Sequence, residues 1–256
     1  MPIVPNGKSM IEFKLKLAEK IIKVSALFET TKEYCKDFFA NCDKEHDFEV
    51  VMTEKMISDE RAIHVAENGE DAKAYLTDDY VETLALYRAI VEKLVEYNVV
   101  MFHGSAIAVD GVAYIFAALS GTGKSTHTRL WREHFGDRAV MVNDDKPLLT
   151  VTDDGITVHG TPWNGKHNLG SNISVPVKAI CILERAENNH IERISPKAAY
   201  PTFFQQTYRS KNPSKLLKIL ALIDKTTKVV GVYRLGCNMN PDAAEVSYNG
   251  MNKKEI

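Results

Sequence analysis

The sequence predicts an α/β fold built on a mixed sheet, with a small α+β region ahead of it. Three observations carry that expectation. An apolar run, Val112-Ala-Tyr-Ile-Phe-Ala117, leads through a Gly-rich turn into a helical stretch over residues 126–135 that Gly136 closes. Asp110-Gly111 is a strong two-residue hairpin signal, so the strand before the turn is the second arm of an antiparallel pair. In the commonest phosphate-loop folds that strand has parallel neighbours joined by helices, so a hairpin here implies a mixed sheet. Finally, Tyr80, Leu84, Tyr87, Val91 and Leu94 step by four and three, which predicts one long helix over residues 79–97.

Taken in order, residues 11–17 and 21–27 read as strands, 31–42 as a helix and 48–52 as a strand. The long helix follows, with Thr77 or Asp78 at its start. From Val99 the chain turns to short strands, at 99–102, 105–109 and 112–118. Residues 138–143 form another. A second Asp-Gly turn, Asp154-Gly155, joins 148–152 to 156–159. Strands are expected at 178–184, 191–194 and 229–235. Helices start at Pro196 and Pro213, each with proline at the first helical position, and a last one follows Asn240-Pro241. This divides the chain into a small N-terminal α+β region (1–98), a larger mixed-sheet domain (99–250) and a polar tail (251–256).

Composition narrows the function classes. At 256 residues, 45% hydrophobic and 26% charged, the chain can bury a core. A net charge of −2 gives no basic field, so nucleic acid is not an expected partner. No apolar stretch approaches the roughly twenty residues of a membrane span, so no membrane partner is expected. The first residues lack a basic segment followed by an apolar one, and Cys35, Cys42, Cys181 and Cys237 form no C-x-x-C pair. Reduced thiols in a cytoplasmic protein are the expectation.

The Gly-rich turn is Ala118-Leu-Ser-Gly-Thr-Gly-Lys-Ser-Thr126. Strand, Gly-rich turn and helix N-terminus make a phosphate-binding loop. Backbone N–H groups of Ser120, Gly121, Thr122, Gly123 and Lys124 would wrap phosphate oxygens, and the helix dipole adds to the attraction. Lys124 would reach the terminal phosphates and the Ser125 hydroxyl would meet Mg²⁺, with Thr126 completing the loop. Ala118 stands where the full pattern has glycine.

Asp144-Asp145 ends the strand after that helix, where α/β sheets bind ligands. One carboxylate can hold Mg²⁺ and the other can accept the proton of an attacking hydroxyl. His103 lies fifteen positions before Ala118, and the hairpin brings the start of its first strand, near Ser105, beside the end of the second, near the loop, so His103 would be a base partner or phosphate contact. In the run His159–Asn168, Gly160, Pro162 and Gly165 shape a loop that displays Trp163, Lys166 and His167. Lys166 would neutralise phosphate and Trp163 would form a pocket wall. Arg209 either clamps phosphate or ends a helix. Arg129 and Arg132 read as surface or packing residues.

His103-Gly, the Asp-Gly hairpin, Ser120–Thr126 and Asp144-Asp145 together resemble the catalytic domain of HPr kinase/phosphorylase. The loop is also similar to that of phosphoenolpyruvate carboxykinase, which shares the fold. The resemblance spans roughly residues 99–248, and its specific part 103–145. It implies a phosphate loop preceded by an antiparallel hairpin, and Mg²⁺-dependent phosphoryl transfer from ATP or another nucleotide or polyphosphate to a serine or other hydroxyl. Carried over, Asp144 would be the base, His103 its support, Asp145 a metal or water contact, and Lys124 and Ser125 the phosphate and Mg²⁺ ligands. The expectation is a kinase acting on a protein, peptide or small molecule. A nucleotide-binding regulatory or assembly module without turnover, and a simple ATPase, are the rivals.

Overall fold

A computed structural model describes residues 9–41, 44–118 and 122–253, the Ala72 side chain excepted. Cys42, Ser120 and Gly121, named above, lie outside the described residues. The chain separates into two compact units, 1–93 and 94–256. Among the described residues no helix is long and apolar enough to cross a membrane.

The first unit carries a three-stranded sheet, β1 (Ile11–Leu17), β2 (Lys20–Ala26) and β3 (Phe48–Val51). β1 and β2 are antiparallel, and Ala18 and Glu19 make the turn at positive φ. β3 adds in parallel, and α1 (Glu29–Tyr34) lies in that crossover. α1 is shorter than the expected 31–42 helix: Cys35 leaves helical geometry, a 3-10 turn at Lys36–Phe38 follows, and Phe39 is extended. α2 (Glu54–Asn68) was not expected from the sequence. Thr53 caps it, accepting from Met56 N at 3.3 Å, but only Ile57 and Glu60 are buried, so it shows no apolar stripe to read.

α3 (Asp78–Leu94) is the anticipated long helix, with a 3-10 turn at Val95–Tyr97. Of the expected stripe, Tyr87, Val91 and Leu94 are buried, Leu84 is half-buried and Tyr80 is exposed, and Val81, Leu86 and Ile90 widen the buried face. The buried Glu82 carboxylate accepts from Leu27 N (2.6 Å), Phe28 N (3.1 Å) and the Thr31 hydroxyl, and so ties this helix to the β2–α1 corner. Burial raises the Glu82 pKa, the three hydrogen bonds oppose it, and the net shift is upward.

The second unit holds a curled nine-stranded mixed sheet. Its strands are β4 (Val99–Met101), β5 (Ser105–Val109), β6 (Val112–Ala117), β7 (Ala139–Asn143), β8 (Leu148–Val151), β9 (Ile156–His159), β10 (Ser174–Arg185), β11 (His190–Arg193) and β12 (Gly231–Cys237). The helices are α4 (Lys124–Phe135), α5 (Pro196–Gln206), α6 (Pro213–Val229) and α7 (Asp242–Asn252). β5 and β6 form the expected hairpin, with Asp110 and Gly111 both at positive φ, as a two-residue reversal of right-twisted strands requires. The second reversal sits one residue earlier than Asp154-Gly155. Thr152 N donates to Gly155 O, which centres the turn on Asp153-Asp154. β12 starts two residues later than expected, because α6 continues through Val229.

Strand order places the site. β6 lies between β5 and β10, β7 is the far neighbour of β5, and β12 pairs with β10. β5 is antiparallel to both β6 and β7, while β10 is parallel to β6 and to β12. The C-terminal ends of β6, β7, β10 and β12 and the start of β5 therefore share one edge of the sheet. Successive side chains of β5 and β6 point to opposite faces. Ala106, Ala108, Ala113 and Ile115 pack with Phe203, Ile219 and Leu222 of α5 and α6. Ile107, Val109, Tyr114 and Phe116 pack with Leu130, Trp131 and Phe135 of α4 and with α7. Both faces are covered, which fixes the edge as the open side.

Candidate active site

Four of the expected residues, His103, Lys124, Asp144 and Asp145, meet at this edge through the chain's own geometry. β6 ends at Ala117 and α4 starts at Lys124, with Gly123 at φ 113° as the residue before the helix. That left-handed conformation favours glycine. Ala118 is buried and does not take positive φ, so the missing glycine there costs no backbone strain. Lys124 Nζ donates to Ala118 O at 3.2 Å. Burial lowers its pKa, and the carboxylates of Asp145 and Asp144 oppose that shift. Lys124 therefore senses both carboxylates.

The acidic pair is held by Asn143, fully buried at the end of β7. Its Oδ1 accepts from Asp145 N (2.9 Å) and Lys146 N (2.7 Å), which bends the chain sharply after the strand. Its Nδ2 donates to Thr161 Oγ1 (2.9 Å), Thr161 O (3.2 Å) and Trp163 O (3.3 Å), tying the turn to the following loop. Gly165 of that loop sits against Asp145: an added Cβ would lie 3.1 Å from the Asp145 Cβ.

The two carboxylates have different surroundings. Asp144 is buried and accepts a hydrogen bond from the Ser105 hydroxyl at the start of β5. Thr128 Oγ1 of α4 lies 3.3 Å from that hydroxyl and 3.3 Å from the carbonyls of Lys124 and Ser125. Asp144 thus faces the first turn of α4. Asp145 is partly open, with Oδ1 3.3 Å from His103 Nε2 and Oδ2 3.9 Å from Lys146 Nζ. Burial raises its pKa, but the His103 hydrogen bond and the charges of Lys146, His103 and Lys124 outweigh that, and the net shift is downward. His103 is set by its backbone, which donates to Gln206 O at 2.7 Å, while Gly104 N donates to Asp145 O at 3.0 Å. His103 lies against Asp145, whereas the resemblance implied that it would support Asp144.

Two clefts flank the first turn of α4. One, of about 520 Å³, lies toward β10 and β12 and is lined by Thr122, Gly123, Thr126, His127, Arg185 and Met239 among others. His127 is buried there. Its Nε2 accepts from Trp131 Nε1 (3.1 Å), while Nδ1 has no partner among the described residues. Burial pushes the His127 pKa down to about 4. The other cleft, of about 420 Å³, is lined by Ser125, Thr126, Arg129, Arg132, His167 and Leu169. His167 belongs to the loop that Gly165 presses on Asp145, so this cleft lies on the acidic-pair side.

The remaining candidates stand apart. The Trp163 side chain is buried, and Lys166 is exposed on the loop. Arg209 bonds Phe204 O (2.9 Å) and Gln205 O (3.3 Å) and stacks on the Phe204 ring, which makes it the cap of α5. Asn143, Ser105, Thr128 and the two arginines were not singled out as site residues from the sequence. For Asn143 the signal was present, as an Asn directly before an acidic turn. Ser105 and Thr128 carried none, because their partners lie 39 and 23 residues away in sequence.

Sequence comparison bears on the family. A model of the family described as SynChlorMet cassette protein ScmC matches residues 76–239. The chain belongs to this family. No curated protein matches the chain. Among solved structures, the Hpr(Ser) kinase/phosphatase from Coxiella burnetii is similar with a TM-score of 0.35 and 9% identity, over 58% of this chain and 94% of that one. A likeness that distant carries no argument about activity.

Proposed function

We propose that this ScmC-family chain is a nucleotide-dependent kinase that transfers a terminal phosphoryl group to an alcohol hydroxyl. The observation that carries the reading is the convergence of Lys124, Asp144 and the His103–Asp145 pair at the start of α4, on the open edge of the sheet. Phosphoryl transfer asks a protein chiefly for positioning and charge stabilisation, and these groups supply both. Lys124 and the amides at the head of α4 would hold the donor's phosphates. The nucleoside would occupy the 520 Å³ cleft, where His127 offers an unsatisfied ring nitrogen.

The roles of the two aspartates follow their surroundings. Asp145 is open and backed by His103, so it would orient the acceptor hydroxyl and take its proton. Asp144 is buried and linked to α4 through the Ser105 and Thr128 hydroxyls. With the Ser125 hydroxyl it would offer an all-oxygen donor set for Mg²⁺, which needs only one or two protein ligands when phosphates supply the rest. Mg²⁺, when bound, would neutralise charge on the transferring phosphates. This exchanges the aspartate roles that the resemblance implied.

Incubation with γ-labelled ATP and a cell extract, followed by identification of the labelled species, tests the reading. Label in a protein, peptide or metabolite is expected, and Lys124→Ala should abolish it. Asp145→Asn should cut transfer by about 10²–10⁴-fold, the usual worth of a general base, while a fluorescent ATP analogue still binds. Free phosphate as the sole product, or no product above the Lys124→Ala control, would overturn the kinase reading. Robust transfer by Asp145→Asn would overturn the assignment of the base.

A further inference from the structure

The smaller cleft beside Ser125 has a chemistry of its own. Ser125, Arg129 and Arg132 stand at i, i+4 and i+7 on α4, so they form one line along the helix. Arg132 makes no ion pair among the described residues, and its Nε is buried without an acceptor. Arg129 shares its charge with Glu133 at 2.7 Å. No carboxylate lines the cleft among the described residues, and His167 closes its far side. A buried guanidinium nitrogen without a partner is costly unless an anion arrives to satisfy it.

Position decides which anion. β6 divides the edge: the larger cleft lies toward β10 and β12, whereas the acidic pair and the His167 loop lie toward β5 and β7. The arginine cleft is therefore on the side where an acceptor hydroxyl must approach Asp145, and the donor nucleoside is on the other. At 1.5 Å per helical residue, Arg129 and Arg132 lie about 6 Å and 10 Å along the axis from Ser125. An extended peptide covers that distance in two to three residues at about 3.3 Å each.

We infer that the acceptor is a peptide segment bearing a carboxylate two to three residues from the accepting hydroxyl, and that Arg132, assisted by Arg129, reads that carboxylate. The inference rests on the kinase reading for the hydroxyl, but the anion site can be tested without turnover. The probes are fluorescein-labelled peptides with one central serine in a Gly/Ala background and both termini blocked. Each carries Asp, Asn or Lys at one position from −3 to +3.

With the full chain saturated in ATP and Mg²⁺, fluorescence anisotropy should show Asp peptides binding at least tenfold tighter than their Asn counterparts, best at two or three residues from serine. Arg132→Ala should erase the difference, and Arg132→Glu should reverse it toward Lys-bearing peptides, while a fluorescent ATP analogue binds all three proteins alike. Equal binding of Asp and Asn peptides by the wild type would overturn the inference, and so would an Asp preference that survives in Arg132→Ala. Tenfold tighter binding of a compact hydroxy acid than of any peptide would overturn the peptide assignment. An Arg132-dependent Asp preference with no label ever entering a peptide would sink the kinase reading and leave the carboxylate site standing.

Discussion

Asn143 is the residue on which the geometry of the site depends, and its replacement gives a quantitative test. Three of its hydrogen bonds are short, at 2.7, 2.9 and 2.9 Å, and two are longer, at 3.2 and 3.3 Å. The side chain is fully buried. A net worth of roughly 1 kcal/mol for each short bond gives about 3 kcal/mol, and leaving buried groups unpaired raises the cost toward 5 kcal/mol. Asn143→Ala should therefore lose about 3–5 kcal/mol. Trp131 and Trp163 are the two tryptophans of the chain, both buried and both in the 94–256 unit. Urea unfolding followed by tryptophan fluorescence thus reports this unit. The same loss should lower its Tm by roughly 6–20 °C. Asn143→Asp keeps the acceptor for Asp145 N and Lys146 N but removes the donor to the 161–163 loop and adds a buried charge. Its deficit should grow as pH rises and that carboxyl ionises. A loss below about 1 kcal/mol for Asn143→Ala would refute the claim that this side chain sets the acidic turn.

Three further outcomes follow from the same structure. Gly160→Ala would drive a Cβ to 1.9 Å from Ser171 O, between backbones pinned by Gly160 N to Ile173 O and Ser171 N to Val142 O. It should cost about 3 kcal/mol in urea unfolding, whereas Gly111→Ala, strained only by its positive φ in open space, should cost about 1 kcal/mol. A smaller effect at Gly160 than at Gly111 would contradict that packing. His127 has a folded pKa of about 4, below its ordinary 6.5, so the unfolded chain binds its proton first on acidification. Stability should fall between pH 6.5 and 4 by up to about 1.4 kcal/mol per pH unit, and His127→Gln should flatten that slope. An unchanged slope would remove His127 as its source. The Asp145 pKa is lowered, so its contribution is present above the unfolded pKa and is lost as pH falls through the folded one. In a carboxyl ¹³C titration, His103→Ala should raise the Asp145 pKa, and no movement would break the His103–Asp145 pair.

How far the sequence could be read varied with the range of the interaction involved. The β5–β6 hairpin was legible because Asp110-Gly111 meets a local demand, positive φ at two successive residues. The helix starts at Pro196 and Pro213 were legible for a similar reason, with Ser195 and Asn212 accepting N–H bonds just ahead of them. β10 was read as starting at residue 178 but begins at Ser174. Pro176 argues against a strand, yet here it pairs with Thr157 of β9 in the three-residue antiparallel start of β10. α2 was missed because it buries too little to leave a period in the sequence.

The sequence by itself determined the local chemistry: a Gly-rich turn opening a helix, two adjacent carboxylates after a strand, and a histidine before another. Only the tertiary structure decided who meets whom. Which aspartate His103 supports depends on strand register, because neighbouring residues at a strand end point to different sides. Which cleft adjoins the acidic pair depends on strand order, because β6 stands between that pair on one flank and the ends of β10 and β12 on the other. Both are long-range pairings between residues distant in the chain. Arg129 and Arg132 read as surface residues in the sequence for the same reason. Only folding brings the His167 loop across from them and makes a helix face one wall of a cleft.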